Sequence, residues 1–214
     1  DNMGGGRNNS NRNSGSAGNG KGITQSNLFG VNYTDDWSEK LAAMGSYNFS
    51  NTINKNESKS NQLSFLPTGN IITESDAKTR NENTGNKANF ELEYKIDPTT
   101  RLVVAPKLNQ SRSNNDSASS TSSVDENGDA LNESTAKSYN ESTNTSFANT
   151  INFNKVFKKK DRNLSFVFDN NNSNTESDGW NQSQTIFYQD SKPDDLRNQN
   201  IKNNNISDSY SADI

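Results

Sequence analysis

The stretch GSAGNGKGIT, residues 15–24, comes closest to a site for chemistry, because it nearly matches a phosphate-binding loop. Such a loop reads G-x-x-x-x-G-K-[ST], follows a buried strand and opens a helix, so that backbone N–H groups cradle the phosphates. Gly22 stands where the hydroxyl residue belongs. No apolar run precedes the motif, and ITQSNLFGVNYT alternates with period two instead of the helical 3.6. The sequence therefore predicts a polar loop that ends where a strand begins.

Carboxylates are the other candidates for chemistry. A calcium site is one interpretation of DENGDALNE, with the ligands Asp125, Asn127, Asp129 and Glu133. An EF-hand loop needs glycine at its sixth position and glutamate at its twelfth, whereas this stretch has them at its fourth and ninth, so we favour an exposed turn. Two pairs of adjacent aspartates could suggest acid–base work, but neighbours on a strand face opposite sides, and solvated turns are the better interpretation. These pairs are Asp35 with Asp36 and Asp194 with Asp195. We expect no catalytic residue, no metal and no cofactor.

Composition argues against a conventional soluble core. Only 27% of the 214 residues are hydrophobic, the mean hydropathy is −1.11, and asparagine alone supplies 39 residues. The net charge of −4 and the absence of a basic stripe argue against a nucleic-acid partner. The chain has no cysteine or histidine, which leaves carboxylate or Ser/Lys chemistry to any enzyme. The opening DNMGGGR lacks the features of a signal peptide and suggests a fragment or a processed chain.

Period-two alternation persists despite this polarity. In KANFELEYKI, residues 87–96, every second residue is apolar, as in a strand with one buried face. DPTT then forms a tight turn, and RLVVAPKLNQ returns as a second alternating strand. The same unit recurs before and after this hairpin. The sequence predicts strands at about residues 23–34, 40–54, 86–96, 101–112, 142–157, 163–172 and 203–214.

The links between these strands are alternately short and long. The long links, at about residues 54–86, 113–141 and 171–203, are rich in Asn, Ser and Thr and show little apolar periodicity. Short turns on one side, long loops on the other and crossings of about 9–12 residues are typical of a transmembrane β-barrel. We therefore predict an all-β fold, an antiparallel up-and-down barrel segment with short periplasmic turns and long extracellular loops. Residues 1–22 would form a Gly/Asn-rich extracellular loop and residues 23–214 about seven strands of a larger barrel.

This prediction assigns roles to apolar side chains. The residues expected to face lipid are Phe29, Val31, Phe90, Leu92, Leu102, Val104, Ile151, Phe153, Leu164 and Phe166. An interfacial aromatic girdle near the short turns would consist of Tyr33, Trp37, Tyr94 and Phe157. Possible ligand contacts in a distant loop are Trp180, Phe187 and Tyr188.

Specific residues near the start of the chain also point to a family. GGGR, then GITQSNLFGVNYTDDWSEKLAAMGSYNFSNT, and the closing NNNISDSYSADI resemble the barrel region of TonB-dependent receptor-like outer-membrane proteins of the Bacteroidota. The resemblance covers about residues 4–56 well, the tail moderately and the middle only by strand rhythm. The matching positions are Gly22, Ile23, Thr24, Asn27, Phe29, Gly30, Asn32, Tyr33 and Trp37.

The resemblance implies a large outer-membrane barrel plugged by an N-terminal domain and energised through TonB. The partners would be outer-membrane lipid, the remainder of the barrel with its plug, TonB, and an unknown small or polymeric nutrient. No plug or TonB box is recognisable in this sequence. The main alternative is a secreted or cell-surface β-rich adhesin without a transport role, and a disordered Asn/Ser-rich segment is a further one.

Overall fold

Seven long strands form one antiparallel sheet in a computed structural model that describes residues 22–67, 69–159, 161–188 and 192–214. The strands are β1 (Ile23–Ser38), β2 (Leu41–Leu66), β3 (Gly69–Asp97), β4 (Thr100–Asp125), β5 (Ala130–Val156), β6 (Asn163–Phe187) and β7 (Asp195–Asp213). They lie side by side in chain order, each antiparallel to the one before. The predicted all-β, up-and-down fold is confirmed.

The sheet is open in the described residues, since β1 and β7 lie at its two edges. None of the described residues belong to a helix that could cross a membrane. The described residues begin at Gly22. Most of the predicted loop at residues 1–22, and most of the near-match to a phosphate-binding loop at residues 15–24, therefore lie outside the described part.

The strands differ from the prediction in length. The stretches expected to be long loops, about residues 54–86, 113–141 and 171–203, are mostly strand, and β2 to β6 are 25 to 29 residues long. As a result, β3 begins three residues after the end of β2, β5 begins five residues after the end of β4, and β7 begins eight residues after the end of β6. The prediction followed apolar residues, which are rare in these stretches, whereas backbone pairing of adjacent strands does not require them.

The two ends of the sheet are named by their turns. At the near end, β1–β2, β3–β4 and β5–β6 are joined by residues 39–40, 98–99 and 157–162, where the sequence predicts short turns. At the distal end lie the links 67–68, 126–129 and 188–194. The distal 126–129 turn uses Gly128 at φ 89°, in the left-handed region that favours glycine.

A single layer of strands leaves almost nothing buried. Among the described residues, Ala43 is the only buried apolar side chain, and no large side chain is fully enclosed. Large apolar groups are instead open on the surface of the sheet, including Phe29 at 60% and Leu108 at 49% exposure. A protein that exposes this much apolar surface requires something outside this layer to cover it.

Candidate functional site

The candidate site is the sheet itself, whose two faces have different chemistry. Residues directly opposite one another on neighbouring strands point to the same face, so the register assigns each side chain to a face. All ten residues predicted to face lipid lie on one face, which we call the band face. One row of it runs Leu41, Tyr94, Leu102, Phe153 and Phe166, and the next runs Ala43, Leu92, Val104, Ile151 and Phe168.

Apolar side chains form a belt on the band face, close to the near end. On β2 this apolar band extends from Leu41 to Phe49, nine residues, which matches the 9–11 residues of a tilted transmembrane strand. Asn149 on β5 interrupts it, between Ile151 and Phe147. Phe29 and Tyr47 pack within it at 6.5 Å between ring centroids.

The distal limit of the apolar band is uneven across the strands. It lies at Phe49 on β2, and on β3, β4 and β5 it lies one row nearer, at Ala88, Leu108 and Phe147. On β6 it lies at Phe168, which shares its row with Ala43 of β2, and on β7 Tyr210 lies one row more distal again. The near-end row from Leu41 to Phe166 crosses the same strands without a shift, so the band narrows from β2 toward β6.

Three of the four predicted girdle residues lie at the near-end margin of this band. Tyr94 shares a row with Leu41 and Leu102, the last row of the band before the turns. Trp37 lies in the bulge next to Ser38, which is opposite Leu41, and Phe157 lies one residue beyond β5. Tyr33 lies two rows farther in, opposite Gly45. Trp37 donates from Nε1 to the Tyr33 hydroxyl at 2.7 Å, and Tyr33 donates to Asp35 at 3.2 Å.

Beyond the band, the distal half of the band face is charged. Oppositely charged side chains pair across neighbouring strands: Lys59 with Asp76, Lys78 with Glu57, Arg112 with Glu141, and Lys202 with Asp178. Hydrogen bonds from Arg112 and, less strongly, from the Tyr139 hydroxyl hold the pKa of Glu141 below its usual range. The middle of the sheet is therefore hydrophilic on this face, whereas Leu63, Phe65 and Ile72 lie on the same face close to the distal turns.

On β2 to β6, the opposite face of the distal half carries hydroxyl and amide side chains without formal charge, whereas Asp195 and Arg197 of β7 lie on this face. In the strand stretches 50–66, 69–85, 109–123, 132–148 and 171–187, every charged residue lies on the band face. Short hydrogen bonds connect neighbouring strands, such as Thr73 with Ser123 at 3.1 Å and Asn115 Nδ2 to Asn81 Oδ1 at 2.6 Å. Since hydroxyls and amides both donate and accept, this face suits contact with water or with uncharged polar molecules.

The three aromatics predicted to be loop ligands are not together in a loop. Trp180 lies within β6 on the band face, directly opposite Tyr139. Phe187 is the last residue of β6, where Lys192 Nζ lies 5.7 Å from its ring centroid, and Tyr188 follows it. Tyr188 donates to Glu133 at 3.0 Å. Phe187 follows Trp180 by seven positions along β6, so about 23 Å of strand separates Trp180 from Phe187 and Tyr188.

The first part of the stretch DENGDALNE forms the turn between β4 and β5, and Ala130 begins β5. A turn is the interpretation that the sequence favours over a calcium site. Asp125 Oδ1 accepts hydrogen bonds from the backbone N–H groups of Asn127 and Asp129, both at 2.9 Å. The Asp129 bond is the main reason that the pKa of Asp125 is lowered. Glu133, the remaining candidate ligand, accepts instead from Tyr188.

Comparison with known proteins gives no family. No protein-family model matches the chain, and no curated protein matches it either. Among solved structures, the ferric yersiniabactin uptake receptor FyuA from Yersinia pestis is similar with 8% identity and a TM-score of 0.36, over 89% of this chain and 43% of that one. This chain thus spans less than half the length of that receptor.

Two further solved structures are still more loosely similar. The membrane pore complex of pneumolysin has 8% identity and a TM-score of 0.15, over 88% of this chain and 31% of the other. OccK11 (OpdR) of Pseudomonas aeruginosa has 8% identity and a TM-score of 0.11, over 88% and 93% of the two chains. These likenesses assign no ligand or activity to this chain.

Proposed function

We propose that this chain is a wall segment of an outer-membrane β-barrel, with the band face toward lipid and the opposite face toward a water-filled lumen. The apolar band on one face carries this proposal. On β2 it spans nine residues, which is the length that a tilted strand needs to cross a bilayer. Its large apolar side chains, such as Phe29 and Leu108, are open on the surface of the sheet, as contact with lipid requires.

The distal half would then project outside the membrane. Its ion pairs on the band face and its hydroxyls and amides on the opposite face both favour water. The near-end turns would lie in the periplasm, with Tyr33, Trp37, Tyr94 and Phe157 at that interface. This arrangement accounts for the low hydropathy of the chain, since only one face of a short stretch meets lipid.

The two open edges imply neighbours. Unpaired backbone groups are not tolerated in lipid, so within a membrane β1 and β7 require further strands, which the remainder of the same barrel would provide. By the resemblance of residues 4–56, the complete protein would enclose a plug, engage TonB and take up a nutrient. The segment itself would provide a wall and no catalysis. Phe187 and Tyr188 at the distal end remain the best candidates for a contact with the nutrient.

Nitroxide labelling along β5 tests this orientation in the full-length protein reconstituted in bilayers. Thr150, Ile151, Asn152 and Phe153 are replaced one at a time by cysteine, and each carries a spin label. We expect labels at 151 and 153 to collide with oxygen, which concentrates in lipid, because these side chains lie on the band face. Labels at 150 and 152 should collide with a water-soluble nickel chelate instead. The two pairs are matched controls for each other.

A soluble adhesin gives a different pattern. All four labels would then lack the oxygen enrichment of the bilayer interior, and the protein would be recovered without detergent. Oxygen contact at positions 150 and 152 would reverse the two faces and contradict the proposed orientation.

A further inference from the structure

A groove lies on the band face, well beyond the apolar band. Its volume is about 370 Å³, and Lys55, Lys78, Arg80, Lys137 and Trp180 are among the residues that line it. Ala118 stands directly opposite Lys78 on one side and Lys137 on the other. Because alanine is short, the two lysines flank a recess whose floor is Ala118.

The groove has an excess of positive charge. Four cations line it against two carboxylates, Glu57 and Asp116. Lys78 pairs with Glu57 at 3.3 Å, and Arg80 pairs with Glu82 at 2.6 Å and with Asp116 at 3.8 Å. Within the described part of the chain, Lys55 and Lys137 have no carboxylate within ion-pair distance. Lys137 is therefore available to an anionic ligand, and Lys78 is held only by an exposed ion pair, which such a ligand can replace.

An aromatic side chain, Trp180, lines one side of the groove. Trp180 lies directly opposite Tyr139, and Tyr139 lies opposite Asp116 in the same row. A half-buried indole beside cations is suited to a ring that carries hydroxyls on its rim and a negative charge, such as a phosphorylated or carboxylated sugar.

The distance between the apolar band and the groove indicates which kind of molecule could carry such a sugar. Lys78 and Lys137 each lie ten residues beyond the distal limit of the apolar band on their strands, at Ala88 and Phe147. This is about 33 Å along the strand, or about 23 Å above the band for strands tilted by about 45°. The polar region of an ordinary bilayer adds only about 5–8 Å on each side, so a phospholipid head group ends far below the groove.

We propose that this groove binds the anionic oligosaccharide head group of a glycolipid whose acyl chains lie against the apolar band. Lys78 and Lys137 contact a phosphate or carboxylate over Ala118, and Trp180 contacts a sugar ring. The inference rests on the proposed membrane orientation.

The test measures glycolipid binding by the full-length protein in detergent, using host lipopolysaccharide with an intact core. We expect the Lys78→Gln/Lys137→Gln variant to bind it at least tenfold more weakly. The matched control, Lys59→Gln/Lys202→Gln, removes two cations of the same face that lie outside the groove and pair with Asp76 and Asp178, and it should bind like the parent. Lipid A without core sugars should not distinguish the variants. Ala118→Trp, which fills the recess and keeps every charge, should weaken binding as well.

Equal binding by the parent and the Lys78→Gln/Lys137→Gln variant would overturn the proposal that the groove binds the glycolipid. An equal loss in both double variants would overturn it too, because it would indicate a general effect of charge. Heat-modifiable migration on gels reports separately that each variant has folded. The proposed membrane role fails on a different observation, the spin-label pattern on β5, so the two failures are distinguishable.

Discussion

At the scale of single residues, one carboxylate organises the β3–β4 turn. Asp97 Oδ1 accepts from the backbone N–H and the hydroxyl of Thr99, at 2.8 and 2.7 Å. Its other oxygen accepts from the Thr100 hydroxyl at 2.7 Å and from Lys155 Nζ at 3.0 Å. The bonds from Thr99, then those from Thr100 and Lys155, hold the pKa of Asp97 far below its usual range. Through Lys155 the same carboxylate connects the turn to β5.

This pairing predicts a dependence of stability on pH. A carboxyl whose pKa is depressed by folding stabilises the folded state above its unfolded pKa of about 3.9, and the contribution disappears as the pH falls toward the folded value. We expect the urea midpoint of the parent to fall more between pH 6 and pH 3 than that of Asp97→Asn. Asp36→Asn, in the near-end part of β1, serves as the control for the loss of one carboxylate at this end of the sheet. Identical losses in the parent and Asp97→Asn would contradict the assignment.

A second residue-scale prediction concerns the apolar band. Ile151→Arg places a charge on the band face in the row next to the near-end margin, while Asn152→Arg places it on the opposite face one residue away. In lipid, arginine costs roughly 2–4 kcal/mol at the midplane and less toward the interface, whereas lumen positions tolerate it. Urea unfolding from bilayers should therefore show that Ile151→Arg is destabilised by about 1–2 kcal/mol and Asn152→Arg by less than about 0.5 kcal/mol. Similar losses for both variants would argue against lipid contact.

At the scale of elements, the distal turn between β4 and β5 depends on a glycine. Gly128 has φ 89°, and an added Cβ would meet no atom within 4 Å, so its substitution costs backbone strain alone. We expect Gly128→Ala to lower the free energy of unfolding by about 1–2 kcal/mol, while Gly128→Asn should cost less because asparagine tolerates the left-handed region. Urea unfolding of both variants tests this order, and an alanine variant as stable as the parent would refute it.

The strands themselves could be predicted where they carry apolar residues and not where they lack them. The near halves alternate Phe, Leu, Val and Ile with polar residues, and their position and face follow from that pattern. The distal halves alternate too, but between charged and small neutral residues. On β3 every second residue of ESDAKTRNE is charged, namely Glu74, Asp76, Lys78, Arg80 and Glu82. A search for period-two charge would have found the distal half of β3.

At the scale of the whole molecule, the candidate site depends on register. The ten lipid-facing candidates followed from the alternation within each strand. The groove at Ala118 and the distal limit of the band did not, because both depend on which residue of one strand lies opposite which residue of the next. That alignment is set by turn lengths and by bulges such as the one between Asp36 and Ser38, whose geometry the sequence does not specify.

Every contact between elements in the described sheet joins strands that follow each other along the chain. Mechanically, such a molecule is a row of hairpins coupled only to their nearest neighbours. Tension applied at one end reaches β4 only through β2 and β3, so no distant contact locks the far strands together. Under tension, the sheet would unfold one hairpin after another, starting from the edge strand that is pulled. A break in one strand would leave the strands on its far side folded.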